Sequence, residues 1–119
     1  MIFKLNENET VELKYSFRSS IYFEQITNKN VDFQNFTAND FITLFYSVVL
    51  ASLQKAKMPT ITMLAFLDCI DDYNGGEKCL VEFSNWYVET MRAQYDILES
   101  INDDTKEKPE TTTGKKKQA

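Results

Sequence analysis

The segment from Thr37 to Lys55 constrains the fold more than any other part of the chain, because it has almost no polar face. Asp40 follows Thr37 by three residues, the spacing of a capping box at the start of a helix. The apolar residues after it cover nearly the whole circumference of that helix: Phe41, Ile42, Leu44, Phe45, Val48, Val49, Leu50, Ala51 and Leu53. Such a helix is stable when other elements enclose it on several sides. We therefore expect a central helix ending near Lys55.

The residues before the central helix predict a β-hairpin and a short helix. Apolar and polar side chains alternate on both sides of a polar turn within the first fifteen residues, which is typical of a hairpin. Ser16 fits the N-cap of a helix over 17–27, and the stop is supplied from Asn28 onward. The residues that approximate one apolar face of this helix are Phe17, Ile21 and Ile26.

Two further helices are expected after the central one. Pro59 fits the first turn of the third helix, which ends at Asn74-Gly75-Gly76. The fourth runs from about Glu77 to Ile101, with one largely apolar stripe formed by Leu80, Phe83, Tyr87, Met91, Gln94, Leu98 and Ile101. The sequence thus predicts a mainly α fold, a small helical domain of about four helices with an N-terminal β-hairpin.

Composition separates a body, residues 1–102, from a tail, residues 103–119. The tail has no large apolar side chain and is expected to be disordered. The tail carries a net charge of +1. Because the net charge of the whole chain is −5, the net charge of the body is −6. An acidic body repels phosphates, which argues against binding of nucleic acid.

The sequence also indicates where the protein acts. No basic stretch followed by an apolar core stands at the N-terminus, and the longest apolar stretch, 41–53, is shorter than the roughly 20 residues of a membrane-spanning helix. A cytoplasmic protein without membrane attachment is expected. In that compartment Cys69 and Cys79 are expected to be reduced and packed.

Histidine is absent, which removes the commonest general base and metal ligand. This absence argues against an enzyme and excludes His-dependent catalytic triads and His-containing zinc sites. No glycine follows a predicted strand, so there is no Gly-rich phosphate loop and no nucleotide cofactor is expected. Carboxylate chemistry stays open as an alternative, because Asp68, Asp71 and Asp72 lie at helical spacing and could serve a metal-dependent hydrolase. A solvated helix face is the simpler interpretation of the same three acids.

Aromatic residues on the last helix exceed what one buried stripe accommodates. Phe83 and Tyr87 share a stripe, whereas Trp86 lies about 100° from Tyr87 and close to polar residues. Exposed Trp and Tyr side chains are enriched at protein interfaces. The candidate partner-binding residues are Phe83, Trp86, Tyr87 and Tyr95.

The order of these elements resembles the tail assembly chaperones of long-tailed phages and prophages, over residues 10–72. The resemblance is carried by Val11-Glu12-Leu13-Lys14-Tyr15, Phe17-Arg18, the stretch from Ile21 to Lys29, the stretch from Thr37 to Tyr46, and Pro59-Thr60-Ile61-Thr62. One departure is Asn28, where such proteins often have glycine. Asparagine tolerates the left-handed conformation that a helix stop needs, so this change is mild.

The resemblance implies a non-enzymatic protein of the bacterial cytoplasm that binds the long tape measure protein and helps tail-tube subunits assemble around it. Self-association is compatible with this role. The alternative function is a small helical adaptor or inhibitor encoded by a bacterial mobile element and directed at a host factor.

Overall fold

The computed structural model describes the backbone of residues 1–106 and the side chains of residues 1–97, apart from that of Phe33. This part of the chain contains a two-stranded hairpin, four α-helices and one 3-10 turn. In chain order they are β1 (Ile2–Lys4), β2 (Thr10–Glu12), α1 (Phe17–Thr27), the 3-10 turn (Phe33–Asn35), α2 (Ala38–Lys55), α3 (Met63–Tyr73) and α4 (Glu77–Lys106). The predicted mainly helical fold with an N-terminal hairpin is confirmed.

The chain divides into two compact units, Met1–Tyr87 and Val88–Ala119. The first unit holds the hairpin, α1 to α3 and the first part of α4. The described residues of the second unit continue α4 to Lys106, so the helix extends five residues beyond its expected end at Ile101. Adding residues to an existing helix is far easier than nucleating one, and this favours such an extension. The rest of the tail that was predicted to be disordered, 107–119, lies outside the described residues.

Helix α2 lies at the centre of the first unit. Its start is fixed by the predicted capping box, in which the N–H of Asp40 donates to Thr37 Oγ1 (3.1 Å) and the N–H of Thr37 donates to the Asp40 carboxylate (3.0 Å). Phe45 is fully buried, with its ring 4.1 Å from that of Phe83 and 5.0 Å from that of Phe66. No helix in the described part is both long and apolar enough to cross a membrane.

The hairpin is held by its apolar face and by both of its edges. Phe3 pairs with Val11 in the antiparallel register, and both side chains are buried. At the β1 edge the Asn74 amide accepts from the N–H of Lys4 (2.9 Å) and donates to its carbonyl (2.8 Å). Beyond β2, the Ser52 hydroxyl accepts from the N–H of Lys14 (3.0 Å) and donates to its carbonyl (3.3 Å). Two side chains thus bond the hairpin backbone as a neighbouring strand would.

Helix α1 has the predicted bounds but a different buried face. It buries Ser19 and Phe23, and Ser19 Oγ accepts from the N–H of Ser16 at the helix start (3.4 Å). The residues expected to form its apolar face are all exposed: Phe17, Ile21 and Ile26. Packing against α2 selects the face that carries Phe23, whose ring also lies 5.6 Å from that of Phe36.

Helix α3 begins later than predicted. Its N-cap is Thr62, whose hydroxyl accepts from the N–H of Ala65 (3.1 Å), so Pro59 lies before the helix and not in its first turn. The predicted end is confirmed, because Asn74 closes the helix and Gly75 follows with φ of 87°. Glycine adopts this left-handed backbone without the steric cost that a Cβ would add.

Candidate partner-binding surface

The four aromatic residues predicted to bind a partner lie in different environments. Phe83 is fully buried and Tyr87 nearly so, and burial raises the pKa of the Tyr87 hydroxyl, with Tyr15 adding to the shift. Their rings form part of the core of the first unit, so a partner does not reach them in this structure. Trp86 is half-buried, 5.7 Å from the Phe83 ring, and Tyr95 is 61% exposed. Of the four, Trp86 and Tyr95 are accessible.

The three acids of the alternative hydrolase hypothesis are exposed on the outer side of α3. Among the residues that the structure describes, no group of three or more His, Cys, Asp or Glu side chains is placed to hold a metal ion. Leu64 (75% exposed) and Leu67 share this side of α3 with Asp68 and Asp71. This outer side therefore combines two apolar side chains with carboxylates.

The two cysteines are free and buried, as predicted. Burial raises the pKa of Cys79 to about 11, with Glu82 adding to the shift. Burial also raises the pKa of Cys69, whose thiol donates to the carbonyl of Leu5 (3.3 Å). A thiol in such surroundings is a poor nucleophile, because the reactive thiolate is disfavoured.

A groove lies between residues 11–18 and the C-terminal end of α2, residues 51–56. It comprises two adjacent depressions, of about 220 and 550 Å³, with Lys55 in the lining of both; Lys14 lines the first, and Phe17 and Arg18 line the second. The bonds between Ser52 and Lys14 hold its two walls together. On the α1 side, Gln54 Oε1 accepts from Arg18 Nη1 (3.2 Å) and from the Tyr22 hydroxyl. The walls are thus fixed by hydrogen bonds between residues far apart in sequence.

The groove is basic although the chain as a whole is acidic. Lys14, Arg18 and Lys55 line it and are exposed, against a single acid, Glu12. Within the described side chains the one ion pair joins Lys29 and Asp40, so the three cations of the groove have no carboxylate partner there. We call this feature the basic groove.

Phe17 lies at the rim of the basic groove and is 71% exposed. It is the first residue of α1, and Ile21 follows it by one helical turn on the same outer side. A phenylalanine side chain that leaves water gains roughly 1.5–3 kcal/mol, and here that gain is not realised within the chain. The basic groove and its apolar rim form the candidate partner-binding surface.

The sequence did not predict this surface. Lys14 lies in the connection between β2 and α1, Arg18 in α1, and Lys55 in the last turn of α2. The sequence pattern predicts a buried apolar face that includes Phe17, whereas Phe17 is exposed. A signal was present, since Phe17 and Phe23 lie about 120° apart on a helical wheel and cannot share one face. No protein-family model, curated protein or solved structure matches the chain.

Proposed function

We propose that the protein is a non-enzymatic tail assembly chaperone of a long-tailed phage or prophage. In this role it binds the tape measure protein in the bacterial cytoplasm and promotes assembly of tail-tube subunits around it. The resemblance over residues 10–72 supports the identity of the partner. The accessible surface supports the mode of action, which is binding without chemical change.

The exposure of Phe17 is the observation that carries this proposal. Phe23 already packs α1 against its neighbours, so the exposed Phe17 has no part in closing the core. Phe17 and Ile21, four residues apart, present a short apolar stripe beside an open groove. A partner helix or extended segment laid along this stripe buries both side chains, in the manner of helix-in-groove recognition.

The test is co-expression of the protein with the tape measure protein encoded beside it, followed by co-purification. The wild type should keep the tape measure protein in solution and retain it. Phe17→Ser should weaken retention by about 2 kcal/mol or more, roughly 30-fold, because an exposed aromatic anchor is lost. Ile26→Ser is the matched control: Ile26 is also exposed but, nine residues from Phe17, lies about 180° around α1 from it and not on the same face as the sequence pattern had indicated. This substitution should change retention by no more than about twofold.

Wild-type protein that leaves the tape measure protein insoluble would overturn the chaperone proposal. Retention of a host protein in place of the tape measure protein would favour the adaptor alternative.

Trp86→Ala tests whether Trp86, the accessible aromatic residue among the predicted partner-binding residues of the first unit, contacts the partner. If Trp86 contacts the partner, the substitution weakens binding by about 2 kcal/mol or more and leaves thermal melting unchanged. A loss of about 3–5 kcal/mol in the stability of the isolated protein would instead assign Trp86 to the core.

A further inference from the structure

The basic groove concentrates positive charge in a chain whose net charge is −5. Lys55 has a structural reason for its position, since it lies in the last turn of α2, where a cation is favourable to the helix dipole. Lys14 has no comparable role, Arg18 uses one nitrogen to join α1 to Gln54 of α2, and both side chains are exposed. Charges of one sign that line a cleft reinforce one another and attract ligands of the opposite sign.

Arg18 is held in place before any ligand arrives. One guanidinium nitrogen, Nη1, donates to Gln54 Oε1, and the Tyr22 hydroxyl donates to the same oxygen. A guanidinium has five N–H donors in a planar fork, so most of its donors stay available. That fork matches the two oxygens of a carboxylate, and fixing it in advance lowers the cost of ordering on binding.

We infer that the basic groove binds an acidic segment of a partner protein, in which carboxylates flank an apolar side chain. Arg18 takes one carboxylate through its fork, Lys14 and Lys55 attract further acidic residues, and Phe17 covers the apolar side chain. This inference deepens the proposed function, because it states the chemistry of the segment that the protein recognises. A peptide is favoured over nucleic acid, because the acidic body repels a continuous phosphate backbone and the groove supplies three cations only.

The test uses a fluorescein-labelled amphipathic peptide of about 15 residues with leucines at four-residue spacing flanked by glutamates, read by fluorescence anisotropy. A second peptide has glutamine at every glutamate position, and a 15-nucleotide oligothymidine represents nucleic acid. The glutamate peptide should bind, with affinity falling as salt rises, and should bind about tenfold or more tightly than the glutamine peptide. The oligothymidine should bind more weakly than the glutamate peptide.

The chain provides a matched control, because its two arginines are Arg18 and Arg92 and both are exposed. Arg18→Gln should weaken the affinity for the glutamate peptide about tenfold or more. Arg92→Gln, which removes the same charge, should change this affinity by no more than about twofold. Arg18→Lys should recover only part of the loss, because lysine keeps the charge without the fork. Thermal melting of each variant verifies that the fold is kept.

Several results would overturn the inference. They are equal effects of the two arginine substitutions, equal binding of the two peptides, tighter binding of the oligothymidine, and absence of binding. A different outcome is that the wild type binds no peptide but self-associates, and that Arg18→Gln abolishes this self-association. The groove would then bind the acidic outer side of α3 in a second copy of the chain. Retention of the tape measure protein is measured separately, so peptide binding and the chaperone proposal can fail independently.

Discussion

At the scale of single residues, two helices end on a non-glycine residue in the left-handed conformation. Asn28 closes α1 with φ of 63°, and its N–H donates to the carbonyl of Glu24. Lys57 follows α2 with φ of 61°, in a turn whose N–H groups return to the last carbonyls of the helix. Asparagine tolerates this conformation, whereas a lysine there bears the steric cost of its Cβ.

Lys57→Gly should therefore stabilise the protein by about 0.5–1 kcal/mol, since the relief of strain exceeds the entropy that glycine adds to the unfolded chain. Lys57→Ala is the control, because alanine keeps the Cβ and the strain while it removes the rest of the side chain. Urea denaturation measures both. Equal stabilisation by the two substitutions would show that the effect does not come from relief of backbone strain at position 57.

Asp40 gives the folded protein a dependence on pH. A bond from Lys29 Nζ (2.6 Å) and the N–H of Thr37 hold the pKa of this carboxyl below its ordinary value of 3.8. A carboxyl with a lowered pKa in the folded state stabilises the fold above its unfolded pKa, and this contribution disappears as the pH falls through the folded pKa. Asp40→Asn removes the contribution.

The stability difference between wild type and Asp40→Asn should be constant near neutral pH and should shrink below about pH 3.8. Carbon-13 NMR titration of the Asp40 carboxyl measures its pKa directly. In Lys29→Met that pKa should move up toward the ordinary value. An Asp40 that titrates at its ordinary value in the wild type would refute this account.

At the scale of elements, the hairpin depends on side chains from two helices. Ser52→Ala removes both bonds to the Lys14 backbone and leaves its N–H and carbonyl without their protein partner. We expect a loss of about 1–2 kcal/mol in the free energy of unfolding. Ser84→Ala, in α4, is the control and should be neutral or slightly stabilising, because alanine is the better helix former. Chemical denaturation followed by circular dichroism checks both.

The sequence predicted the elements better than their faces. The capping signals of Thr37 and Ser16 set the starts of α2 and α1, because a cap acts through bonds within a few residues. The start of α3 predicted from Pro59 is too early, because proline is compatible with the first turn of a helix but does not determine where the helix begins. Thr62 determines the start, since its hydroxyl caps the helix. The buried face of α1 depends on long-range packing around Phe23, which local periodicity does not contain.

The candidate surface was less predictable, for a reason that belongs to the whole molecule. Lys14, Arg18 and Lys55 line neighbouring depressions because α1 packs on α2, and bonds from Ser52 and Gln54 tie α2 to the residues around the start of α1. These bonds span 38 and 36 residues of sequence. The aromatic residues of α4 predict Phe83 and Tyr87 as partner-binding residues, but both are buried, because aromatic side chains stabilise cores as well as interfaces.

The rates at which the two buried cysteines react with an alkylating reagent measure how often the fold opens. Cys79 is 1% exposed, and a pKa of about 11 leaves about 100-fold less thiolate at pH 8 than an ordinary value of 9.0. Native protein should therefore react with iodoacetamide at Cys79 only through global unfolding. Cys69 should react faster, because opening of the hairpin end at Leu5 suffices to expose it.

Peptide mass spectrometry after timed alkylation measures the two rates separately. Urea should raise the Cys79 rate in parallel with the equilibrium unfolded fraction. Rapid modification of Cys79 without denaturant would contradict its placement in the core.

The link between Lys4 and Asn74 has a consequence for how the protein is made. The two residues are 70 positions apart. At a synthesis rate of 5–20 residues per second, the ribosome needs about 4–14 s to make the chain between them. During this interval the edge of β1 lacks its amide partner, and Phe3 lacks the ring of Phe66, which lies 5.6 Å away in the finished fold. Strand β1 thus leaves the ribosome well before the residues that secure its outer edge, and until they are made that edge is open to pairing with other nascent chains.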